Sequence, residues 1–374
     1  MKVPFYGHVK QYHNLKKQID KNIQEVLESG SYILGPMLSK FEGELAKYAE
    51  TKYAIGVGNG TDALWLTLMA LGIGKGDEVI TNANTFFATA EAIWIAGATA
   101  VLVDCTEDTR CIDPVKVEKA VTKKTKAIMP VHLYGHCADM KAISKIAKAN
   151  KLLVIEDNAQ SIDAHGKGFK QGQYSDAICT SFIIQKNLGT YGDGGAIMTN
   201  NKTINDVVRK LRNHGSPARN VHSFGFNSRL DDLHAGILSA KIKKITKWSD
   251  DRRKWAARYS KGLKGVNLKL PVELSGYRHV FHLFVVETDT AKKRDHMVKF
   301  LQDAGIDAKT HYSISIHQQD GFPWGKKARI VGSLANAEKN AATCVSLPLF
   351  PELTAKEVDY VIKMVKEWDK AYNK

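Results

Sequence analysis

Short apolar runs alternate with amphipathic segments along the first 200 residues of the chain. Residues 152–155, Leu-Leu-Val-Ile, are apolar throughout, as expected for a parallel strand that is covered on both faces. The pattern predicts helices at 15–29, 39–49, 62–71, 86–96 and 140–149, and strands at 53–57, 78–81, 100–104, 126–133, 152–156, 177–182 and 195–199. Alternating strands and helices predict a three-layer α/β domain with a mostly parallel central sheet.

The pattern changes after residue 227. A long charged segment, 232–263, predicts one helix. The remainder predicts strands at 280–287 and 309–312 and helices at 292–304 and 355–372, which is typical of a smaller C-terminal α+β domain. We therefore expect a large domain at 1–245 and a small domain at 246–374.

Composition excludes some classes of function and leaves others open. Lys+Arg exceed Asp+Glu by 54 to 39, so the formal charge is +15. This charge fits a solvated lysine-rich surface, an anionic substrate or nucleic acid. The densest basic stretch, 241–264, lacks the interleaved aromatic residues of a base-stacking surface. We expect no nucleic-acid partner.

The chain shows no sign of a membrane or metal-binding protein. The first residues form no hydrophobic signal region, and no apolar run is long enough to span a bilayer, so we expect a cytoplasmic protein. The five cysteines are scattered and form no CxxC pair, so neither a disulfide framework nor a metal site is expected.

Asp157 and Lys186 are the residues most indicative of chemistry. Asp157 ends the predicted strand 152–156, and Lys186 follows another strand and precedes the glycine-rich segment 189–195. Pyridoxal phosphate enzymes need such a lysine to hold the aldehyde as a Schiff base. They also need a carboxylate to keep the pyridine nitrogen protonated. Alone, Asp157 would also fit a structural salt bridge, and Lys186 would also fit an ordinary surface lysine.

Two further segments would complete such a site. Gly60 and Thr61 open a predicted helix, where free backbone N–H groups favour a phosphate group. A plain helix cap is the simpler interpretation of that turn. Phe86 follows a strand and is placed to stack on a flat heterocycle, although core packing would also explain it.

Together, these motifs resemble the DegT/DnrJ/EryC1/StrS sugar aminotransferases, which are fold-type I pyridoxal phosphate enzymes. The resemblance extends over nearly the whole chain and implies an aspartate-aminotransferase-like fold. The motifs that carry it are Tyr32–Pro36, Gly58–Asp62, Gly76–Val79, Thr85-Phe86, Glu156–Gln160, Ser181-Phe182, Lys186–Gly189, Gly192–Gly195, Phe226–Asp231 and Ser346–Pro348.

The resemblance implies a role for each matching residue. Lys186 would form the Schiff base and move the proton, and Asp157 would pair with the ring nitrogen. Asn227 would reach the phosphate of the neighbouring subunit, which implies a homodimer with shared sites. The implied cofactor contacts are Gly60, Thr61, Phe86, Asp157, Gln160, Ser181, Lys186 and Asn227.

The implied reaction moves an amino group from L-glutamate to a nucleotide-linked ketosugar, for cell-surface polysaccharide or lipopolysaccharide synthesis. In overall resemblance the chain is most similar to enzymes that act at C3. Candidate substrates are UDP-2-acetamido-3-keto-glucose, its uronate, or a dTDP-3-keto-6-deoxyhexose, and amination at C4 is the nearest competitor. Candidate substrate contacts are Arg212, His214, Arg219, His222, Arg229, His311, Tyr312 and His317.

Departures from the family pattern bear on rival functions. Some relatives carry histidine in place of the lysine and act as dehydratases, so Lys186 favours amino transfer. A non-catalytic regulator of this fold would be marked by the loss of Lys186 or Asp157, and both are present. A nicotinamide dehydrogenase would need a GxGxxG turn that residues 56–62 do not complete. Gln185 and His165 stand where the family usually has other residues.

Overall fold

An eight-stranded sheet forms the centre of the protein in this computed structural model, which describes residues 1–216 and 220–372. The strand order is β1-β9-β8-β5-β4-β2-β3-β11. The strands of this sheet are β1 (Tyr53–Val57), β2 (Glu78–Asn82), β3 (Thr99–Val103), β4 (Thr125–Ile128), β5 (Leu153–Asp157), β8 (Ala177–Ser181), β9 (Gly195–Thr199) and β11 (Ala328–Ile330). In this spatial order, each pair of neighbouring strands from β8 through β5, β4, β2 and β3 to β11 is parallel. β9 is antiparallel to both of its neighbours, β1 and β8.

Helices cover both faces of this sheet. Val79 and Ala127 pack into one core with helices α3, α4 and α7, whereas their neighbours Ile80 and Ile128 pack into another with α5 and α6. Successive strand side chains point to opposite faces, so apolar runs produce both cores. The helices up to this point are α1 (His8–Ser29), α2 (Pro36–Tyr48), α3 (Gly60–Ala70), α4 (Ala88–Ile95), α5 (Pro114–Ala120), α6 (Met140–Asn150) and α7 (Lys202–Leu211). The predicted three-layer, mostly parallel fold is confirmed.

The C-terminal part builds its own core around a small antiparallel sheet. Tyr259, Phe284 and Trp368 are buried in this core. The elements of this core are α9 (Ile245–Gly262), β10 (Phe284–Glu287), α10 (Ala291–Asp303), β12 (Cys344–Leu347) and α12 (Ala355–Tyr372). Of the two remaining helices, α8 (Asp232–Ile242) packs against α1 and α2, and α11 (Ala335–Thr343) contributes Ala337 to the core that contains Val79. β10 pairs with β12, and β6 (His165–Gly166) with β7 (Phe169–Lys170) forms a separate hairpin. The division at residue 245 stays a prediction.

Four sequence predictions of secondary structure need correction. The strand predicted at 126–133 ends at Ile128, and Leu133 already belongs to a short 3₁₀ turn. The single helix at 232–263 is wrong, because the chain turns at Lys243 and Lys244, where the Lys244 amide donates to the Lys241 carbonyl three residues back. The predicted strand at 280–287 begins only at Phe284, since Val280 donates its amide to a loop carbonyl instead of a strand. The strand predicted at 309–312 is reduced to one bridge, between Lys309 and Ser346.

Within residues 1–216 and 220–372, no helix has the length and apolar character needed to cross a membrane.

Candidate active site

A cavity of about 620 Å³ opens at the carboxyl ends of the parallel strands. Open α/β sheets place ligands at this edge, where the loops after the strands converge. Most of the predicted cofactor contacts line the cavity together with two predicted substrate contacts. They are Gly60, Thr61, Phe86, Asp157, Gln160, Ser181, Lys186, His311 and Tyr312.

Asp157 ends β5 and is buried at the bottom of the cavity. Its Oδ2 accepts a hydrogen bond from the Thr89 hydroxyl at 2.8 Å, and its Oδ1 accepts one from the Ala159 amide at 3.2 Å. Burial raises the pKa of the carboxyl group, while these hydrogen bonds and Lys186 act in the opposite direction. The result is an oriented carboxylate that a cationic partner would stabilise.

Glu156, which precedes Asp157 in β5, is held by a separate network of buried hydrogen bonds. Glu156 Oε2 lies 2.7 Å from His132 Nε2. The Nδ1 atom of the same ring accepts the Ala138 amide at 3.1 Å, so Nε2 carries the proton and donates to Glu156. This network fixes the strand end from which Asp157 projects.

Lys186 lies in a tight turn after β8, where its amide donates to the Ile183 carbonyl at 2.8 Å. Burial lowers the pKa of its ammonium group to about 8, and Asp157 partly opposes that shift. Among the described residues, Nζ has no hydrogen-bond or ion-pair partner. Lys186 is thus an amine with a substantial neutral fraction near neutral pH, facing an open cavity.

The N-terminus of α3 forms one wall of the cavity. Asn59 caps this helix by accepting the Asp62 amide at 2.8 Å, which leaves the amides of Gly60 and Thr61 without an acceptor in the described parts of the chain. A Cβ atom on Gly60 would lie 2.6 Å from the Ser181 Cβ atom, so only glycine permits this contact. The free amides of Gly60 and Thr61, the helix dipole and the hydroxyl groups of Thr61 and Ser181 are suited to bind an anion.

Aromatic and amide side chains form the opposite wall. Phe86 is 52% exposed, and its ring centroid lies 5.4 Å from that of Tyr312. Gln160 accepts the Tyr134 amide at 2.8 Å and donates to the Tyr312 hydroxyl at 3.2 Å. The two rings and this amide leave a slot above Asp157 that suits a flat polar heterocycle.

Histidines form the side of the cavity nearest the C-terminal part. His311 Nδ1 lies 2.8 Å from the Ser346 hydroxyl oxygen, and burial lowers the pKa of His311 to about 4. His282 Nδ1 lies 3.1 Å from Asn187 Oδ1, and burial holds its pKa well below the usual value. Both rings are therefore neutral hydrogen-bonding groups at pH 7.

Several predicted site residues do not line the cavity of their own chain. Arg212 is a correction: it is buried, its Nη1 donates to Glu42 Oε1 at 2.5 Å and to the Gly56 carbonyl, and it does not line the cavity. His317 pairs with Glu338 at 2.9 Å, outside the cavity.

Asn227, His214, His222 and Arg229 lie on a segment apart from the cavity, and Asn227 is exposed. Arg229 donates to Asn213 Oδ1 at 3.0 Å. Arg219 lies outside the described residues. The roles predicted for these residues stay predictions.

Sequence reasoning missed some cavity residues and left others unexplained. Thr89 and His282 carry no motif, because one is a helix threonine and the other a histidine in an apolar stretch. Tyr6, near the N-terminus, also lines the cavity. Gln185 lines it as well and is exposed. His165 faces a separate cleft of about 600 Å³ beside the β6–β7 hairpin.

The model of the DegT/DnrJ/EryC1/StrS aminotransferase family matches residues 13–366. The chain belongs to this family. It is accordingly a transaminase of the sugar aminotransferase class, as the sequence predicted.

Individual relatives of the family differ in their names. A Geobacillus stearothermophilus protein named as a pleiotropic regulatory protein is 45% identical over 98% of this chain and 99% of its own. A Streptomyces venezuelae dTDP-3-amino-3,4,6-trideoxy-α-D-glucose transaminase is 41% identical, covering 98% of this chain and 96% of its own. The crystal structure of S. venezuelae DesV with a ketimine intermediate superimposes with a TM-score of 0.94, at 41% identity and 98% coverage of both chains.

The DegT/DnrJ/EryC1/StrS family depends on pyridoxal phosphate, and a Bacillus subtilis relative was solved with its pyridoxamine form. That structure is 36% identical with a TM-score of 0.89, covering 99% of this chain and 85% of its own. The cavity fits the cofactor, because the free amides of Gly60 and Thr61, the buried carboxylate of Asp157 and the unpaired amine of Lys186 match its phosphate, ring nitrogen and aldehyde.

Proposed function

We propose that the protein transfers the amino group of L-glutamate to the C3 keto group of a nucleotide-linked sugar. The observation that carries this proposal is the placement of Lys186 and Asp157 in one cavity with the free N-terminus of α3. Relatives that are 39–41% identical support position C3. Their names are those of dTDP-3-amino-sugar transaminases and of UDP-linked 3-dehydroglucosamine and 3-oxoglucuronate aminotransferases.

The residues have separate tasks in this proposal. When bound, pyridoxal phosphate supplies an aldehyde for an amine and a protonated ring that accepts electrons. Asp157 would keep the ring nitrogen protonated, because burial penalises its charge and a cation beside it offsets that penalty. Gly60, Thr61 and Ser181 bind the phosphate through amides and hydroxyls. Phe86 packs on one face of the ring.

Lys186 moves the proton. Its lowered pKa increases the fraction of neutral amine, which would take the proton from the α-carbon of L-glutamate and deliver it to the cofactor carbon. In the second half-reaction, the same amine carries a proton in the reverse direction and the amino group passes to the sugar. Neutral His282 and His311 do not compete for that proton, since their pKa values lie below neutrality.

The nucleotide sugar brings two phosphate charges to the cavity mouth. The net charge of +15 favours approach of such an anion. Gln185 and Ile95 stand at this mouth beside Phe86, and both are exposed. We infer that they face the sugar, and that the exposed Gln185 amide hydrogen-bonds one of its polar groups.

We also infer a homodimer in which Asn227 completes the site of the partner subunit. Asn227 is exposed and lies outside its own cavity. Large apolar residues near it and in the 32–34 segment are exposed, including Phe224 at 71% and Ile33 at 53%. Exposed apolar side chains of this size are typical of a surface that another subunit covers.

A regulatory role without catalysis is the second candidate, because the relative at 45% identity is named as a regulator. The test starts with the purified protein and pyridoxal phosphate. We expect a visible absorbance band that L-glutamate bleaches, followed by conversion of UDP- or dTDP-linked 3-keto sugars to 3-amino sugars. Faster turnover of 4-keto sugars would refute the C3 assignment, and an unbleached band would favour the regulatory role.

A further inference from the structure

Lys241 on α8 is buried behind the turn that carries Lys186. Its side chain is 1% exposed, and Nζ donates to the Gly189 carbonyl at 2.6 Å. Nζ also lies 4.2 Å from the centroid of the Tyr191 ring. Lysine is almost never fully buried unless it is paired, so its presence here indicates a specific task.

Gly189 packs against the turn that carries Lys186, so it links that turn to Lys241. A Cβ atom on Gly189 would lie 2.6 Å from the Ile184 carbonyl oxygen and 2.8 Å from that of Ile183. The Ile183 carbonyl accepts the amide of Lys186. The group that Lys241 binds is therefore packed directly against the backbone that orients Lys186.

Helix α8 binds the same segment at a second point. His234 Nδ1 lies 2.8 Å from the Thr190 hydroxyl oxygen. His282 in the C-terminal part contacts Asn187, and the His282 carbonyl accepts a hydrogen bond from Arg252 at 3.4 Å. The turn is thus held between α8 and the C-terminal part of the chain.

Glu352 and His8 are the titratable groups that interact electrostatically with Lys241, and Arg252 acts on both of them. Burial lowers the pKa of Lys241 to about 7, and Glu352 opposes this shift. His8 on α1 lies near enough for Lys241 and Arg252 to lower its pKa, and Tyr191 supplies the ring face. Burial raises the pKa of the Glu352 carboxyl group, and Arg252, Gln11 and Lys241 act in the opposite direction. Neither oxygen of this carboxyl group has a hydrogen bond of ordinary geometry in the described residues.

We propose that Lys241 is a positioning residue for the transamination: its ammonium group fixes the Gly189 carbonyl and thereby holds the Lys186 turn against the cavity. This inference rests on the proposed function, because it takes Lys186 as the reacting amine. A charged donor binds a carbonyl more strongly than a neutral one. The hydrogen bond from Lys241 to the Gly189 carbonyl is therefore stronger when Lys241 is protonated than when it is neutral.

The first test compares Lys241→Met with Lys243→Met, an exposed lysine two residues further along the same chain. Hydrogen–deuterium exchange is measured on the protein with and without pyridoxal phosphate. We expect faster exchange of the amides in 183–194 for Lys241→Met only. Equal exchange in both variants and the wild type would overturn the proposal.

The second test measures how fast L-glutamate bleaches the bound cofactor between pH 6 and pH 9. The ratio of wild-type to Lys241→Met rate constants should be about tenfold at pH 6 and fall toward one at pH 9, as expected for a displaced reacting group. Lys241→Arg keeps the charge, so its rate relative to the wild type should rise with pH. A ratio that does not change with pH would show a merely structural role and refute the proposal.

The outcomes separate this inference from the proposed function. A wild-type protein that binds the cofactor but does not react with L-glutamate would refute the proposed function. A wild-type protein that reacts normally, with Lys241→Met equally fast at every pH, would refute only the positioning role. Thermal unfolding of each variant identifies any that fail to fold, and Lys241→Arg then decides by its pH profile.

Discussion

The Thr89 hydroxyl donates to Asp157 Oδ2 at 2.8 Å, although the two residues are separated by 68 positions in the chain. This hydrogen bond and the one from the Ala159 amide orient the buried carboxylate. Thr89→Val should lower the rate of the L-glutamate half-reaction about tenfold, because a hydrogen bond to a charged acceptor contributes about 1.5 kcal/mol or more. Stopped-flow absorbance measures this rate. Thr89→Ser keeps the hydroxyl and should stay within about threefold of the wild type.

Replacing Asp157 by Asn removes the charge and keeps the shape of the side chain. An amide does not keep the ring nitrogen protonated, so the half-reaction should slow by about 10²–10³-fold. Lys186 is intact in this variant, and the visible cofactor band should still form. A loss of less than about tenfold would contradict the role of Asp157.

Capture of the cofactor should depend on pH through Lys186. The neutral amine reacts, and its fraction increases as pH rises through a pKa of about 8. The rate of appearance of the absorbance band should rise from pH 6.5 and level off above about pH 9. Borohydride reduction should fix the cofactor covalently to the wild type, whereas Lys186→Ala should retain no cofactor after reduction and dialysis under denaturing conditions. A pH-independent capture rate would argue that another group limits the reaction.

Gly60 and Gly43 form a matched pair of glycine tests. Gly60→Ala places a methyl group 2.6 Å from Ser181, so the dissociation constant for pyridoxal phosphate should rise at least about tenfold. Gly43 lies inside α2 with open space around its Cα, and Gly43→Ala should instead increase the free energy of unfolding by about 0.5–1 kcal/mol. Absorbance titration and denaturant unfolding measure these two effects. Equal cofactor affinity in the two variants would contradict a phosphate-binding site at the N-terminus of α3.

Hybrid dimers test the contribution of Asn227 across the interface. Lys186→Ala and Asn227→Ala should each be impaired as homodimers. In a hybrid of the two chains, one site receives the wild-type Lys186 and the wild-type Asn227 together. Co-expression with two affinity tags should therefore restore activity to about half of the wild type per dimer. If the hybrid is no more active than its parents, Asn227 acts within its own chain.

Much of the fold followed from periodicity, because buried parallel strands are continuous apolar runs. β1 and β9 begin and end where the sequence predicted, and β5 differs by one residue at each end. The break between α8 and α9 was not predictable, since two lysines in a charged stretch resemble the surface of one continuous helix. β11 was missed because it is a short edge strand whose partner, β3, lies far away in the chain.

The cavity residues also divide into those that the sequence could predict and those that it could not. Lys186, Asp157 and Gly60 lie in local patterns with a chemical meaning, and the structure brings them together. Thr89 and Lys241 act through contacts that only the folded chain creates, so a single sequence contains no signal for them. Arg212 was misjudged because a buried ion pair with Glu42 and an exposed anion contact require the same residue type.

The close contacts around Gly60 and Gly195 bear on how this cavity can change its substrate. A Cβ atom on Gly195 would lie 2.3 Å from the Asn59 carbonyl oxygen, so strand, cap and helix interlock without space for a larger side chain. Mutation there damages cofactor retention before it alters selectivity. Ile95 and Gln185 are exposed at the mouth, carry no cofactor contact in the proposed function, and can be exchanged without moving the backbone. Directed evolution toward new sugars should therefore concentrate on this rim and leave the glycines untouched.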